Sequence, residues 1–135
     1  MDRRAFLAGS AGAAVVAVSL PGNAQAADGA ALPAVNVVYT KDNAGVWEAK
    51  KGGHLPKFEI AGSKVTVTTP HGSSEAHFIV RHTLLLANGS VLGARTFSAA
   101  DTPVSEYTLP DCYKGRIFAT SFCNQHDLWL SETTV

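Results

Sequence analysis

Short segments of alternating apolar and polar residues, separated by turn residues at close intervals, constrain the fold of this chain most strongly. The clearest is Lys64–Thr69, in which β-branched residues dominate. Asn88-Gly89 predicts a tight hairpin between an apolar run that starts at His77 and a returning strand, Val91–Phe97. Since no stretch after residue 26 shows helical periodicity, the pattern predicts an all-β fold.

The remaining segments complete a set of seven or eight short strands. They are a first strand at Val35–Thr40, a short strand at Trp47-Glu48 ending in a Lys50–Gly53 turn, Lys57–Ile60, Tyr107–Leu109 and, as the last long strand, Gly115–Phe122. Strands of this length and spacing favour an immunoglobulin-like β-sandwich. We expect one such domain over residues 27–135, preceded by a signal peptide over residues 1–26.

The N-terminus has the pattern of a twin-arginine export signal. Arg3-Arg4 is followed by Phe6-Leu7 and an apolar region, Ala11–Leu20. That region is far shorter than the roughly 20 apolar residues of a membrane-spanning helix. Because Ala24-Gln25-Ala26 is typical of a cleavage site, we expect a periplasmic mature chain that begins at Ala27 and has no membrane attachment.

Charge and cysteine content exclude two classes of protein. The 11 basic residues balance the 11 acidic ones and form no basic cluster, so a nucleic-acid partner is not expected. Two cysteines are too few for a disulfide scaffold. Cys112 is interpreted as a buried small hydrophobic side chain rather than as a disulfide partner of Cys123.

Histidines beside the predicted strands, together with one cysteine, form a candidate metal site. Cys123 and His126 are three residues apart, a spacing that lets both side chains reach one ion from a tight turn. Three more histidines lie on loops or strand ends: His54, His71 and His77. His82 is set aside, because its odd spacing from His77 along the predicted strand places the two on opposite faces.

The number and type of these donors narrow the choice of metal. Five nitrogen and sulfur donors exceed the four that satisfy structural zinc. Imidazoles with one thiolate suit iron or copper. A blue-copper site usually adds a weak methionine ligand, whereas the only methionine here is Met1, in the predicted signal peptide. Five donors also leave one octahedral position open for a small ligand.

The motifs around the donors resemble those of the superoxide reductases, the neelaredoxin and desulfoferrodoxin type. The Cys-Asn-x-His-x-x-Trp motif of that family corresponds to Cys123–Trp129. Its paired-histidine loop, a His followed six residues later by His-aromatic-Ile, corresponds to His71 and His77–Ile79. Its earlier His-x-Pro corresponds to His54–Pro56. The resemblance therefore covers most of the predicted mature chain.

The resemblance implies an iron enzyme. One iron per chain, cycling between Fe²⁺ and Fe³⁺, would have four equatorial imidazoles and the axial thiolate of Cys123. The equatorial ligands would be His54, His71, His77 and His126. The implied reaction is the one-electron reduction of superoxide to hydrogen peroxide. Its implied partners are superoxide, a periplasmic electron donor and, in a homo-oligomer, further copies of the chain.

One position departs from the family pattern. The family usually has a lysine immediately before the first histidine, and this lysine helps to draw superoxide to the iron. Gly53 occupies that position here. We expect Lys51, next to Lys50 on the same segment, to supply the attraction instead; an ordinary solvated basic turn is the alternative interpretation.

Two other functions remain open at this point. A periplasmic iron-binding or electron-transfer module with the same centre but little superoxide turnover is favoured by Gly53. A sulfur-oxidation carrier or binding protein of similar sandwich fold would need a reactive cysteine on a free C-terminal tail, whereas Cys123 lies within a ligand motif.

Overall fold

The structure, a computed structural model, describes residues 38–135. The predicted signal peptide over residues 1–26, the predicted mature start at Ala27 and positions 35–37 of the first predicted strand lie outside the described residues. None of the helical segments in the described part of the chain has the length and apolar character needed to cross a membrane.

Eight strands form two sheets within residues 38–135, and the all-β prediction is confirmed. In chain order the strands are β1 (Val38–Tyr39), β2 (Lys57–Ala61), β3 (Lys64–Thr68), β4 (Ile79–Leu86), β5 (Val91–Thr96), β6 (Val104–Thr108), β7 (Arg116–Cys123) and β8 (Asp127–Thr134). One sheet has the order β1-β8-β7-β4-β5 and the other β2-β3-β6. All pairings are antiparallel except that of β1 with β8.

The segment around Trp47 is helical, so the prediction of a short strand there is wrong. A 3₁₀ helix (Gly45–Lys50) leads directly into a one-turn helix, α1 (Lys51–His54), which replaces the predicted turn. Trp47 packs against the buried cluster formed by Tyr39, Ala44 and Trp129. This contact is long-range, and the helical segments are too short to give a periodic sequence pattern.

The strand that ends at Cys123 is followed by a further one, so the prediction that it is the last strand is wrong. β8 follows after a tight turn and pairs with β7 along its whole length, from Cys123 opposite Asp127 to Arg116 opposite Thr134. Asp127 has a φ of 59°, a left-handed conformation that aspartate tolerates better than most residues. The hairpin therefore reverses the chain within the metal motif itself.

The core between the sheets has an apolar layer to which both sheets contribute. Its buried residues are Val65, Val67, Leu84, Leu109, Ile117 and Ala119. β7 shows the alternation that builds it, because its alternate residues from Ile117 to Cys123 all face inward.

A polar layer lies next to the apolar one, and sequence reasoning missed it. It consists of Thr69, Ser105, Ser121 and His82, each no more than 1% exposed. The His82 ring is hydrogen-bonded on both sides, with Nε2 2.8 Å from Thr69 Oγ1 and Nδ1 2.8 Å from Ser105 Oγ. The Thr69 hydroxyl donates to Ser121 Oγ, also at 2.8 Å. These bonds satisfy polar groups that would otherwise be costly to bury.

A β-bulge in β4 explains why His82 faces inward. Ile79 pairs with Cys123 and Arg81 pairs with Phe122, so β4 has one more residue than β7 over this stretch. Ile79 and His82 are consequently both buried although they are three positions apart. The expectation that His82 is not a metal ligand agrees with its position, but the alternation argument that supported it does not hold across a bulge.

His82 should make the stability of the protein depend on pH. Burial lowers the pKa of His82 from 6.5 to about 4, so the unfolded chain binds a proton in this range that the folded chain does not. The contribution of His82 to the free energy of unfolding is up to about 3 kcal/mol. It is fully present above pH 6.5 and is lost as the pH falls towards 4. Denaturant unfolding at several pH values in this range measures how steeply the free energy of unfolding depends on pH.

The His82→Gln variant is the control, because glutamine keeps a hydrogen-bonding side chain without the titration. We expect its free energy of unfolding to fall less steeply below pH 6.5 than that of the wild type. Equal slopes for the two proteins would contradict the assignment to His82.

Candidate metal centre

The β7–β8 hairpin places Cys123 and His126 side by side. Cys123 is the last residue of β7, faces inward and is fully buried. His126 is the last residue of the three-residue turn, and its Nδ1 lies 3.7 Å from Cys123 Sγ. The indole N–H of Trp129 donates to the His126 carbonyl at 2.9 Å and so fixes the end of the turn.

The loop between β3 and β4 folds back on itself and brings two more histidines to the same place. Ser74 and His77 exchange backbone hydrogen bonds of 2.9 and 3.0 Å, which closes a tight reversal. The rings of His71 and His77 meet edge to face, with centroids 4.4 Å apart. His77 Nε2 lies 3.2 Å from Cys123 Sγ.

His54 reaches the cluster from the end of α1. Its Nδ1 lies 2.9 Å from the Lys50 carbonyl, and its Nε2 lies 3.0 Å from Nδ1 of His126. Because a carbonyl oxygen only accepts, Nδ1 carries the proton and Nε2 presents a lone pair. The ring of Trp129 lies over His54 at a centroid distance of 5.4 Å.

Four donor atoms therefore form a compact group, and a fifth lies beside it. The four, from His54, His77, Cys123 and His126, all lie within 4.8 Å of one another. The fifth, Nε2 of His71, is 3.1 Å from His77 Nε2 and 4.0 Å from Cys123 Sγ. All five residues predicted from the sequence are thus brought together. Imidazole lone pairs and a thiol gathered in this way suit a transition metal ion.

Burial keeps three imidazoles of the cluster in the neutral form that binds metals. It lowers the pKa of His54 to about 4, with smaller effects in the same direction from the neighbouring histidines. It also lowers the pKa of His71 and that of His126, and in both cases His77 adds to the effect. Neutral imidazoles are the metal-ligating species, so the site favours ligation over protonation near neutral pH.

Asn124 fastens the histidine loop to the hairpin, a role that the sequence reasoning missed. Its side-chain oxygen accepts from the Phe78 N–H at 3.0 Å, and its Nδ2 donates to the Ala76 carbonyl at 3.1 Å. Gln125 Nε2 donates to the same carbonyl at 2.7 Å. The residues on both sides of His77 are therefore held by the turn that bears His126. An asparagine between two ligands was the available sequence signal.

Aromatic residues cover one side of the cluster. Trp47 packs edge to face on His126, with centroids 4.6 Å apart, while Trp129 is fully buried beneath the site. Phe122 does not shield the sulfur, because it is 39% exposed and adjacent strand residues face opposite sides of the sheet. His71 and His77 remain half-buried, so the centre is accessible from their side.

The two lysines near the site differ in their surroundings. Lys51 Nζ forms an ion pair with Glu48 and donates to the Lys41 carbonyl at 3.1 Å. The pKa of His126 is lowered first by burial and by His77, and the charge of Lys50 adds to this effect. A Cβ at Gly53 would lie 3.5 Å from the Pro70 carbonyl, an ordinary contact distance, so a Cβ fits there.

Cys112 is exposed, so its interpretation as a buried hydrophobic residue is wrong. It precedes β7, whereas Cys123 ends that strand, and it therefore lies far from the cluster. Both cysteines are free thiols.

Comparison with known proteins identifies the family. The desulfoferrodoxin family model matches residues 45–132, a span that contains all five donor residues. The chain belongs to the desulfoferrodoxin family. The match also takes in Trp47, Asn124 and most of β8, the features that sequence reasoning had misread or missed.

Three proteins to which the chain is similar are each named a superoxide reductase. The chain is 30% identical to the superoxide reductase of Pyrococcus furiosus over 66 residues, 49% of this chain and 53% of that protein, so it spans about half of that relative's length. It is similar to the solved superoxide reductase (neelaredoxin) of Ignicoccus hospitalis, with 26% identity, a TM-score of 0.61 and coverage of 74% of this chain and 94% of that one. The superoxide reductase of Giardia intestinalis, at 22% identity, 63% and 100% coverage and a TM-score of 0.55, shares the fold.

Replacing Asn124 should weaken metal binding. In Asn124→Leu both side-chain hydrogen bonds from Asn124 to the His77 segment are lost, so His77 is held less firmly, by Gln125 and the backbone alone. Because partners of this kind typically contribute 10- to 100-fold to metal affinity, we expect a loss of about tenfold in competition with a chelator.

The Ser73→Ala variant is the matched control. Ser73 lies in the same loop, but its hydroxyl donates to the Asp101 carbonyl at 3.3 Å and not to the hairpin. We expect its metal affinity to equal that of the wild type. Similar losses in both variants would mean that Asn124 has no specific role.

Proposed function

We propose that this protein is an exported superoxide reductase that binds one iron ion per chain. The ligands are the four imidazoles of His54, His71, His77 and His126 and the thiolate of Cys123. The observation that carries the proposal is the compact group of donors from His54, His77, Cys123 and His126, with Nε2 of His71 3.1 Å from that of His77. Family membership and the names of the relatives support it.

The donor set suits the reaction. Bound iron would supply electrons one at a time and a position at which superoxide is held. Overall, superoxide takes up one electron and two protons and becomes hydrogen peroxide. Four neutral imidazoles and one thiolate leave a divalent ion with a residual positive charge, which attracts an anion. The half-buried side formed by His71 and His77 admits a diatomic substrate without a large pocket.

Positive charge beside the centre is assigned to Lys50 and Lys51. Lys51, the residue expected from the sequence, is partly neutralised by Glu48. Lys50 adds to lowering the pKa of His126 and has no ion pair among those within the described residues. Both therefore contribute to guiding superoxide, and the electrons come from a periplasmic donor of single electrons.

A second function has a specific observation in its favour. With glycine at position 53, the charge that usually precedes the first histidine of the family is absent. An iron-binding or electron-transfer module with the same centre and slow superoxide turnover would show this feature. The two functions differ in one measurable quantity, the rate at which the reduced protein removes superoxide.

The deciding experiment combines metal analysis with pulsed superoxide. The mature chain should contain one iron per chain, develop a thiolate-to-iron(III) absorption band on oxidation and remove a superoxide pulse rapidly in the reduced form. Zinc or copper in place of iron would overturn the assignment. Iron with slow superoxide removal would establish the electron-transfer alternative.

The Cys123→Ser variant is the control for this experiment, because serine removes only the sulfur. We expect it to lose the absorption band. A variant that keeps the band would show that Cys123 is not the thiolate ligand.

Restoring a lysine at position 53 should accelerate the reaction. Gly53 has room for a Cβ, and a cation beside the centre raises the association rate of an anion. We expect Gly53→Lys to remove superoxide about tenfold faster at low ionic strength, with the gain shrinking as salt is added. Lys51→Gln, measured in parallel, should be slower than the wild type.

Gly52→Lys tests whether position matters. A Cβ at Gly52 meets nothing within 4 Å, so the variant adds the same charge one residue away without a steric cost. Equal acceleration by both variants would indicate an effect of net charge alone.

Export is tested by the twin arginines. Replacing Arg3 and Arg4 by lysine should keep the precursor in the cytoplasm, whereas the unchanged chain should be recovered from the periplasm at the length that begins with Ala27. N-terminal sequencing of the fractionated protein measures both. Mature protein in the periplasm from the variant would contradict export by this route.

A further inference from the structure

The polar layer described above has no part in the proposed chemistry, yet it lies directly beside the metal centre. Thr69 is two residues before His71, and Ser121 is two residues before Cys123. Phe97 links the layers, since it packs edge to face on the His82 ring at 4.9 Å and belongs to the cluster that contains Cys123. The core thus runs from apolar residues, through hydrogen-bonded ones, to the donor atoms.

The hydrogen bonds of the layer have one consistent direction. The Thr69 hydroxyl donates to Ser121, so it accepts from Nε2–H of His82. Nδ1 of the neutral ring then accepts from the hydroxyl of Ser105. The chain Ser105–His82–Thr69–Ser121 is therefore continuous, and each of its three links is 2.8 Å long.

Every link of this chain crosses from one sheet to the other. Ser105 lies on β6 and Thr69 directly follows β3, both in the three-stranded sheet. His82 on β4 and Ser121 on β7 belong to the five-stranded sheet. Directional bonds of fixed length set the separation of the sheets at this end more narrowly than apolar contacts do, because apolar packing is non-directional.

Short, stiff connections lead from this chain to the ligands. The His71 N–H donates to the Thr69 carbonyl at 2.7 Å, and the Thr69 N–H donates to the Pro103 carbonyl at 3.1 Å. On the other side, Ser121 and Cys123 lie on the same face of a regular strand. A change in the distance between Thr69 and Ser121 would therefore pass directly to His71 and Cys123.

We propose that the polar layer is a positioning unit for the metal centre. The Ser105–His82–Thr69–Ser121 chain fixes the distance between the two sheets at the end where His71 and Cys123 lie. The proposal rests on the metal centre assigned above and not on the superoxide reaction. His82, Thr69, Ser105 and Ser121 are positioning residues, since none of them is among the donor residues.

The Thr69→Val variant tests this unit, because valine matches threonine in shape and removes the central hydroxyl. We expect the iron-loaded variant to release its metal to a chelator about tenfold faster and to shift its thiolate-to-iron(III) band. Thr69→Ser retains the hydroxyl and should behave as the wild type. Ser105→Ala shortens the chain at its far end and replaces Thr69→Val where that variant does not fold.

The Val67→Ala variant separates positioning from general stability. Val67 is fully buried on β3, opposite Ser105, and its truncation lowers the free energy of unfolding while every hydroxyl and ring nitrogen of the hydrogen-bonded chain is retained. We expect wild-type metal release and an unshifted band. The proposal is overturned if Val67→Ala changes the rate of metal release and the absorption band as much as Thr69→Val does. It is also overturned if Thr69→Val changes neither the rate nor the band.

A metal-free measurement keeps the proposal distinct from the assigned function. In a Cys112→Ser background Cys123 is the only thiol, and its rate of reaction with a thiol reagent reports opening of the metal end. We expect Thr69→Val to raise this rate and Val67→Ala to leave it unchanged. If the wild type binds no iron, the proposed function is wrong. The rate at which Cys123 reacts with the thiol reagent would still test the positioning unit.

Discussion

The close approach of five donor atoms at one end of the core is the constraint on which the rest of this structure depends. Nitrogen atoms of different imidazoles lie 3.0–3.1 Å apart, and each half-buried or buried ring has been partly removed from water. Such an arrangement is unfavourable unless a cation is shared among the lone pairs. The fold therefore has to hold separate backbone segments in place, and most of its unusual features lie where it does so.

Each of these segments is fixed by backbone or side-chain hydrogen bonds close to its ligand. Nδ1 of His54 donates to Lys50, Asn124 holds both neighbours of His77, and the Trp129 indole holds the end of the His126 turn. Apolar residues stabilise the distant half of the sandwich, where contacts are interchangeable. Directional bonds accumulate towards the metal end, where positions have to be reproduced to a few tenths of an ångström.

The sequence predicted the parts of this structure that depend on local pattern. β3 follows from its β-branched alternation, the β4–β5 hairpin from Asn88-Gly89, and the donor set from the residue types themselves. The helical segment at Trp47 was missed because a long-range contact with His126 and Trp129 determines it. β8 was missed because the chain reverses inside a motif that was read only for its ligands.

The β-bulge in β4 shows a different limit. Alternation predicts which side chains face the core only while two strands pair residue by residue. One additional residue in a strand reverses the predicted facing of every later residue. Because the bulge lies between Ile79 and Arg81, it separates the part of β4 that serves the metal end from the part that carries His82. The layer around His82 could therefore be recognised only after the pairing with β7 was known.

The position of the two thiols at opposite ends of β7 has a consequence for a protein proposed to work outside the cytoplasm. The strand from Arg116 to Cys123 spans roughly 23 Å, whereas the α-carbons of a disulfide lie within about 7 Å of each other. The folded chain cannot join Cys112 to Cys123 while β7 is intact. In oxidising surroundings, loss of the ion would thus leave the Cys123 sulfur safe from an internal crosslink, and the emptied centre could be refilled without prior reduction of such a bond.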